Sequence, residues 1–211
     1  ESSRWYPGAG LYRNVHVIVT ENAHIPVWGT YVTTPTATKE FAKVNVRTQI
    51  VLLEGADAGK YSVKTSVWNP NGQKLTEQTI PLSQIKYNDN SLSQEFIIQT
   101  PTLWSPDMPA LYSAETRLYE GDQLKDIYTT PFGIRSIEII PNKGFFLNGE
   151  KTVFKGVCNH HDLGPLGAAV NDAAIRRQIR ILKDMGCNAI RTSHNMPAPE
   201  LVRACDEMGL M

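Results

Sequence analysis

Residues 152–194 read TVFKGVCNHHDLGPLGAAVNDAAIRRQIRILKDMGCNAIRTSH, and strand and helix textures alternate along them. Thr152–Val157 is a short apolar run, which predicts a strand, and a polar loop follows it. Asn171 or Asp172 can cap a helix in which Ile175, Ile179 and Leu182 recur at helical spacing. Arg176, Arg177, Arg180 and Lys183 occupy its other face, and Gly186 suits the position just past its end. Asn188–Arg191 predicts a second strand. A second helix begins near Pro199, with Leu201, Ala204, Cys205 and Met208 inward and Gly209 ending it. Strand, helix, strand, helix is how a parallel α/β structure starts. Two parallel strands cannot close a barrel, so the chain reads as a segment cut from a larger whole.

Upstream of about residue 150 the texture is different. Thr, Val, Tyr and Ile are abundant, and all four tryptophans lie there. Alternation is plain in Val44, Val46, Thr48, Ile50 and Leu52, and again in Tyr61, Val63, Thr65 and Val67. Period two with β-branched residues marks strands that bury one face. Further strands are expected near 11–19, 27–33, 74–80, 94–99, 111–119, 123–130 and 133–140. Turns separate them at Asn69-Pro70-Asn71-Gly72, Gly121-Asp122 and Asn148-Gly149. About seven short strands with frequent turns over 27–137 predict an antiparallel β-sandwich of immunoglobulin-like topology. Trp28, Trp68 and Trp104 are expected in its core or at its seams, and Trp5-Tyr6 at a domain seam.

Composition narrows the function classes. Lys+Arg and Asp+Glu are both 21, so nothing electrostatic draws the chain to nucleic acid or to an anionic membrane. The longest apolar runs fall far short of the roughly 20 residues that span a bilayer. Cys158, Cys187 and Cys205 form no CxxC pair, which argues against a thiolate zinc site and against a disulfide framework. The redox compartment, and with it a periplasmic, secreted or cytoplasmic location, is left open.

The chemistry-bearing residues concentrate at strand ends. His160 and His161 follow the first α/β strand, and His194 follows the second. Loops after the carboxyl ends of parallel strands converge on one face, where ligands bind. His160, Arg191 and His194 therefore share a rim, able to hydrogen-bond hydroxyls or orient a carboxylate. Strand-end capping is the bland alternative. Neighbouring His160, His161 and Asp162 are poorly placed to share one metal ion. Ser193, His194 and Asp162 lack the Gly-x-Ser-x-Gly elbow of a hydrolase triad. Cys158 reads as a buried small apolar group. Gly164-Pro165-Leu166-Gly167 matches neither phosphate-loop fingerprint.

Several stretches resemble glycoside hydrolase family 2. Residues 3–15, SRWYPGAGLYRNV, resemble the closing strand of that family's jelly-roll sugar-binding domain. Leu103-Trp104-Ser105-Pro106-Asp107 and Pro109-Ala110-Leu111-Tyr112 resemble its late sandwich motif. Phe132-Gly133-Ile134-Arg135 is similar to the exit strand, and Phe146-Leu147-Asn148-Gly149 to the hairpin entering the catalytic barrel. Gly156-Val157 through His160, and Asn188 through His194, resemble the first two barrel strands. The likeness follows the family's order along nearly the whole chain, with bacterial β-galactosidases nearest and β-glucuronidases and β-mannosidases as relatives.

The resemblance implies a mainly β chain in three parts. These are residues 1–22 from the end of a jelly-roll domain, an immunoglobulin-like sandwich over 23–140, and the first βαβα units of a (β/α)8 TIM barrel over 141–211. It implies a retaining glycosidase acting on terminal β-D-galactosides. His160 and His194 match histidines that contact sugar hydroxyls, and Arg191 an arginine that supports the nucleophilic carboxylate. Cys158-Asn159 stands where the family usually has Asn-Arg, a departure that bears on subsite detail. Retaining glycosidases need two carboxyls about 5 Å apart. In the family these are glutamates of later barrel strands, so no catalytic residue is expected within the segment and the segment alone is expected to be inactive. No cofactor or metal is expected here, while divalent-metal use by the parent and a homo-oligomeric state are left open. A non-catalytic sandwich scaffold or weak carbohydrate-binding module is the competing reading, with a phosphate-binding α/β protein third.

Overall fold

Burial at every second residue organises most of the chain. The computed structural model describes residues 11, 13–84, 90–194 and 196–211, and its residues group into two units. The first comprises Ile18–Trp104 and Ala110–Lys151. Its strands are β1 (Ala23–His24), β2 (Thr30–Ala37), β3 (Phe41–Gln49), β4 (Val51–Leu52), β5 (Tyr61–Trp68) and β6 (Lys74–Pro81). They continue as β7 (Ser91–Gln99), β8 (Leu111–Glu120), β9 (Gln123–Gly133), β10 (Ile137–Ile140), β11 (Gly144–Leu147) and β12 (Glu150–Lys151).

Two antiparallel sheets, β2-β3-β7 and β6-β5-β8-β9, form the sandwich. Ala42, Val44 and Val46 of β3 pack with Phe96 and Ile98 of β7, and with Val67, Tyr112, Ala114 and Phe132 of the opposite sheet. A second cluster joins Val63, Leu92 and Leu118 to Ile25, Ile50, Tyr61 and Leu82. One polar chain crosses this interior. Thr65 Oγ1 donates to Gln94 Oε1 at 2.6 Å and lies 3.2 Å from Thr116 Oγ1, while Gln94 Nε2 donates to the Gln78 carbonyl at 2.9 Å. Having one proton to give, the Thr65 hydroxyl accepts from Thr116.

Trp104 closes the sandwich. It is 1% exposed, with the Arg135 guanidinium 4.5 Å from its ring centroid. A Cβ on Gly133 would come within 2.8 Å of the Trp104 side chain, so this strand position admits only glycine. Asn148-Gly149 turns β11 into β12 with φ of 53° and 79°, as a type I′ hairpin requires. Asn148 also accepts from the Ser136 amide and donates to the Trp104 carbonyl, both at 3.0 Å, which ties this hairpin to the end of the sandwich.

The second unit comprises Thr152–Met211, Ser105–Pro109 and the described residues up to Val17. Strands β13 (Gly156–Asn159) and β14 (Ala189–Thr192) pair in parallel, followed by helices α1 (Asp172–Asp184) and α2 (Pro199–Met208) respectively. Asn171 Oδ1 caps α1 by accepting from the Ala174 amide at 3.0 Å. Ile175, Ile179, Ala204 and Leu210 are buried together beneath the strands' inner face with Ile190 and Leu201. No helix among the described residues is long and apolar enough to cross a membrane.

Four expectations change. No strand forms over 13–19, where Val15, Val17, Ile18 and Val19 are exposed. Alternation sets which face of a strand is apolar, but a strand also needs a ladder partner, and the described residues supply none there. Trp28 is 77% exposed at φ 56°, outside the core. The first α/β strand begins at Gly156, because the ladder with β14 runs from Gly156–Ala189 to Asn159–Thr192 and leaves Val153 and Phe154 outside it. A Cβ at Gly156 would stand 1.9 Å from the Ala189 carbonyl oxygen, so glycine permits this close start. Cys158 is exposed. Residues 1–10 and 12, including Trp5-Tyr6 and most of the resemblance to a jelly-roll strand, lie outside the described residues.

Candidate functional site

Parallel pairing sends the carboxyl ends of β13 and β14 in the same direction, and the chemistry-bearing side chains gather there. His160 directly follows β13, and His194 lies two residues beyond β14. Their rings stand edge to face, 5.7 Å between centroids at 89°. The register sets Arg191 opposite Cys158. Arg191 Nη1 donates to Ser193 Oγ at 2.8 Å and approaches Cys158 Sγ at 3.7 Å, and Nη2 lies 3.4 Å from His194 Nδ1. The structure thus brings together all three rim residues that the sequence singled out.

Each has a visible support. Ser193, the seat of the guanidinium, is 3% exposed. Asn159 and Gln178 exchange amide hydrogen bonds of 3.1 and 3.3 Å, fixing the end of β13 against α1. The loop after His194 is held from afar. Arg13 donates to the carbonyls of Met196 and Pro197, and Asn14 Nδ2 donates to Glu200 Oε1 at 3.1 Å. A small cleft opens beside the histidines, bordered by His160, His161 and Ser193 and walled by Leu163, Val170 and Leu201. It is concave, largely apolar and rimmed by a few convergent polar groups, the usual character of a ligand site.

Electrostatics mark one further residue. Hydrogen bonds from Arg191 first, then from Ser193, hold the Cys158 thiol below the ordinary thiol range. Sequence reading missed this pairing, because residues 33 apart meet only through the ladder register. Once both strands are aligned at Gly156 and Ala189, Cys158 and Arg191 fall opposite each other, and that offset is the signal.

Three carboxylates of this unit are engaged in local contacts. Asp162 accepts from the Gly164 amide at 2.9 Å. Asp172 and Glu207 share Arg176 and Arg203 in a bridge between the two helices, and Arg176 first, with Arg203, keeps the Asp172 carboxyl low. Among the described residues, no three His, Cys, Asp or Glu side chains converge as metal ligands. The rim can donate hydrogen bonds and place positive charge, but its own side chains include no pair of carboxyls for glycosidic chemistry.

Comparison with known proteins gives matches along the whole chain. Residues 23–135 match the sequence profile of glycosyl hydrolases family 2, and residues 138–211 match that family's TIM barrel domain. A β-galactosidase of Bacteroides ovatus is 43% identical over 210 residues, covering 100% of this chain and 25% of its own length. A β-glucuronidase of Bacteroides fragilis is 29% identical over 213 residues, covering 96% of this chain and 30% of its own length. The crystal structure of a family 2 member from Bacteroides cellulosilyticus superposes with a TM-score of 0.91 at 38% identity, over 99% of this chain and 28% of that one. The chain therefore spans about a quarter of the length of these relatives.

Proposed function

The chain belongs to glycosyl hydrolase family 2, and from that premise we propose that it is the sandwich and barrel-opening segment of a retaining glycosidase that cleaves terminal β-D-galactosides. The observation that carries this reading is the group of His160, His194 and Arg191 at the carboxyl ends of two parallel strands. In this reading the imidazoles contact hydroxyls of the sugar and Arg191 steadies the nucleophilic carboxylate. Both catalytic carboxyls come from barrel strands that extend this chain. The parts are then residues 1–22 from a jelly-roll domain, 23–140 the sandwich and 141–211 the opening of the barrel.

Galactoside is favoured over glucuronide by the 43% identity to a β-galactosidase, against 35% and 29% to a putative and a named β-glucuronidase, a margin that the substrate test below decides. The chemistry of the segment agrees with the division of labour. A retaining mechanism needs an acid/base and a nucleophile about 5 Å apart, and the rim supplies neither. It supplies groups that bind and orient.

The test compares the 211-residue chain with the longer protein that carries it, using p-nitrophenyl β-galactoside and β-glucuronide. The longer protein should turn over the galactoside, and the chain alone should not. His160→Ala and His194→Ala in the longer protein should each lower kcat/KM about tenfold, the cost of one lost hydrogen bond of about 1.5 kcal/mol in the transition state. Galactoside turnover by the 211-residue chain, or unchanged kcat/KM in both histidine variants, would overturn the proposal.

A further inference from the structure

Arg191 does more than stand on the rim: it makes a directional contact with His194. Its Nη2 lies 3.4 Å from His194 Nδ1, while Nη1 is anchored on Ser193 Oγ at 2.8 Å and lies 3.7 Å from Cys158 Sγ. A guanidinium offers five N–H donors, has no acceptor and keeps its proton in proteins. A hydrogen bond between it and an imidazole nitrogen therefore runs in one direction. Arginine donates and Nδ1 accepts. A ring nitrogen that accepts carries no hydrogen, so the hydrogen of the neutral ring sits on Nε2.

We propose that Arg191, seated on Ser193, is a positioning residue that fixes His194 in its Nε2–H tautomer, so that His194 meets a ligand hydroxyl as a hydrogen-bond donor. The functional half of this proposal rests on the reading of His194 as a sugar contact. The geometric half stands by itself. Ser193 is buried and cannot turn its hydroxyl to solvent, so the guanidinium has a fixed seat. The parallel ladder sets Cys158 opposite Arg191, placing a soft acceptor beside the same Nη1 that Ser193 holds. With Nη1 held by these two, the guanidinium reaches His194 with Nη2. The donor that results selects for substrate atoms bearing a lone pair, which a sugar hydroxyl has and an ammonium lacks.

Two measurements test the two halves separately. In the 211-residue chain labelled with 15N-histidine, nitrogen–proton correlation spectra distinguish a protonated from a bare ring nitrogen. His194 should show a hydrogen on Nε2 and none on Nδ1. Arg191→Met and Ser193→Ala should each move the pattern toward a mixture of tautomers, with the sandwich resonances unchanged as a check on folding. A hydrogen on Nδ1 in the unmodified chain, or a pattern that neither substitution alters, would overturn the proposal. In the longer protein, His194→Gln places an amide nitrogen near the former Nε2, whereas His194→Asn places it near the former Nδ1. His194→Gln should retain about tenfold more kcat/KM than His194→Asn, one hydrogen bond's worth. Equal loss in both variants would overturn the donor role. Full activity in both would instead overturn the sugar-contact reading and leave the tautomer result standing on its spectra.

Discussion

The sandwich and the strand–helix unit use the same aliphatic side chains and leave opposite surfaces. In the sandwich, β3 and β5 bury Val44, Val46, Val63 and Val67 completely, because each sheet has a second sheet to face. In the other unit, α1 and α2 cover one side of β13 and β14 with Ile175, Ile179 and Ala204. The other side carries exposed Cys158, Arg191 and His194. The closed unit holds buried polar groups such as Thr65 and Gln94 in an internal pair. The open one leaves Cys158, Arg191 and His194 exposed. Cys158 and Arg191 thus lie on the uncovered side, while His160 stands at the strand end beside a cleft that the helix-side residues Leu163, Val170 and Leu201 wall.

The strongest way to break that contrast is to open the closed unit. Trp104→Ala removes a side chain that is 1% exposed, together with the ring beneath Arg135. Truncating a buried tryptophan costs about 3–5 kcal/mol, a large part of the stability of a domain this size. Urea unfolding followed by far-UV circular dichroism should show the strand transition moving to much lower denaturant. A change below about 1 kcal/mol would mean that Trp104 does not close the core. A smaller probe addresses the other unit. Asn171→Ala removes the N-cap of α1 and should cost about 1 kcal/mol. The loss should appear in the helical signal, with the strand transition in place. If both signals shift together, the two units unfold as one and the comparison drawn here is thermodynamically empty.

How far the sequence could be read follows from the same contrast. Val44 through Leu52 and Tyr61 through Val67 announced their strands, because a half-buried strand writes its own period. The ends of α1 were legible from Asn171 and Gly186, each of which acts through its own backbone neighbourhood. Residues 13–19 and Val153-Phe154 carry equally apolar patterns but form no ladder among the described residues. Apolarity states that a face is to be covered; the partner that covers it is encoded elsewhere. At the site, strand-end position alone singled out His160, Arg191 and His194. The seat of Arg191 on Ser193 and Cys158 was not legible, since it depends on a register between strands with a whole helix between them. For the same reason nothing in the local sequence tells that Cys158 lies on the uncovered side.

The finest test of the contrast uses the three thiols. Cys158 is exposed and held below the ordinary thiol range by Arg191, whereas burial, with Asp206 second, pushes Cys205 up to about 11. At pH 7 iodoacetamide should therefore alkylate Cys158 first and Cys205 last, read by peptide mass spectrometry. A lowered thiol is present as thiolate at lower pH, so its pH–rate profile should rise earlier than that of a free cysteine. Arg191→Met removes the first cause of the lowering and should shift the rise to higher pH. Thiolate fraction gains tenfold per unit of lowering, while intrinsic nucleophilicity loses part of it through a Brønsted slope near 0.4–0.5. The net slowing at pH 7 should be about threefold per unit. At pH 10, where both forms are largely ionised, the difference should vanish or reverse in sign. A Cys158 rate that Arg191→Met leaves unchanged at both pH values would separate the thiol from the guanidinium, and the exposed face from the charge of Arg191.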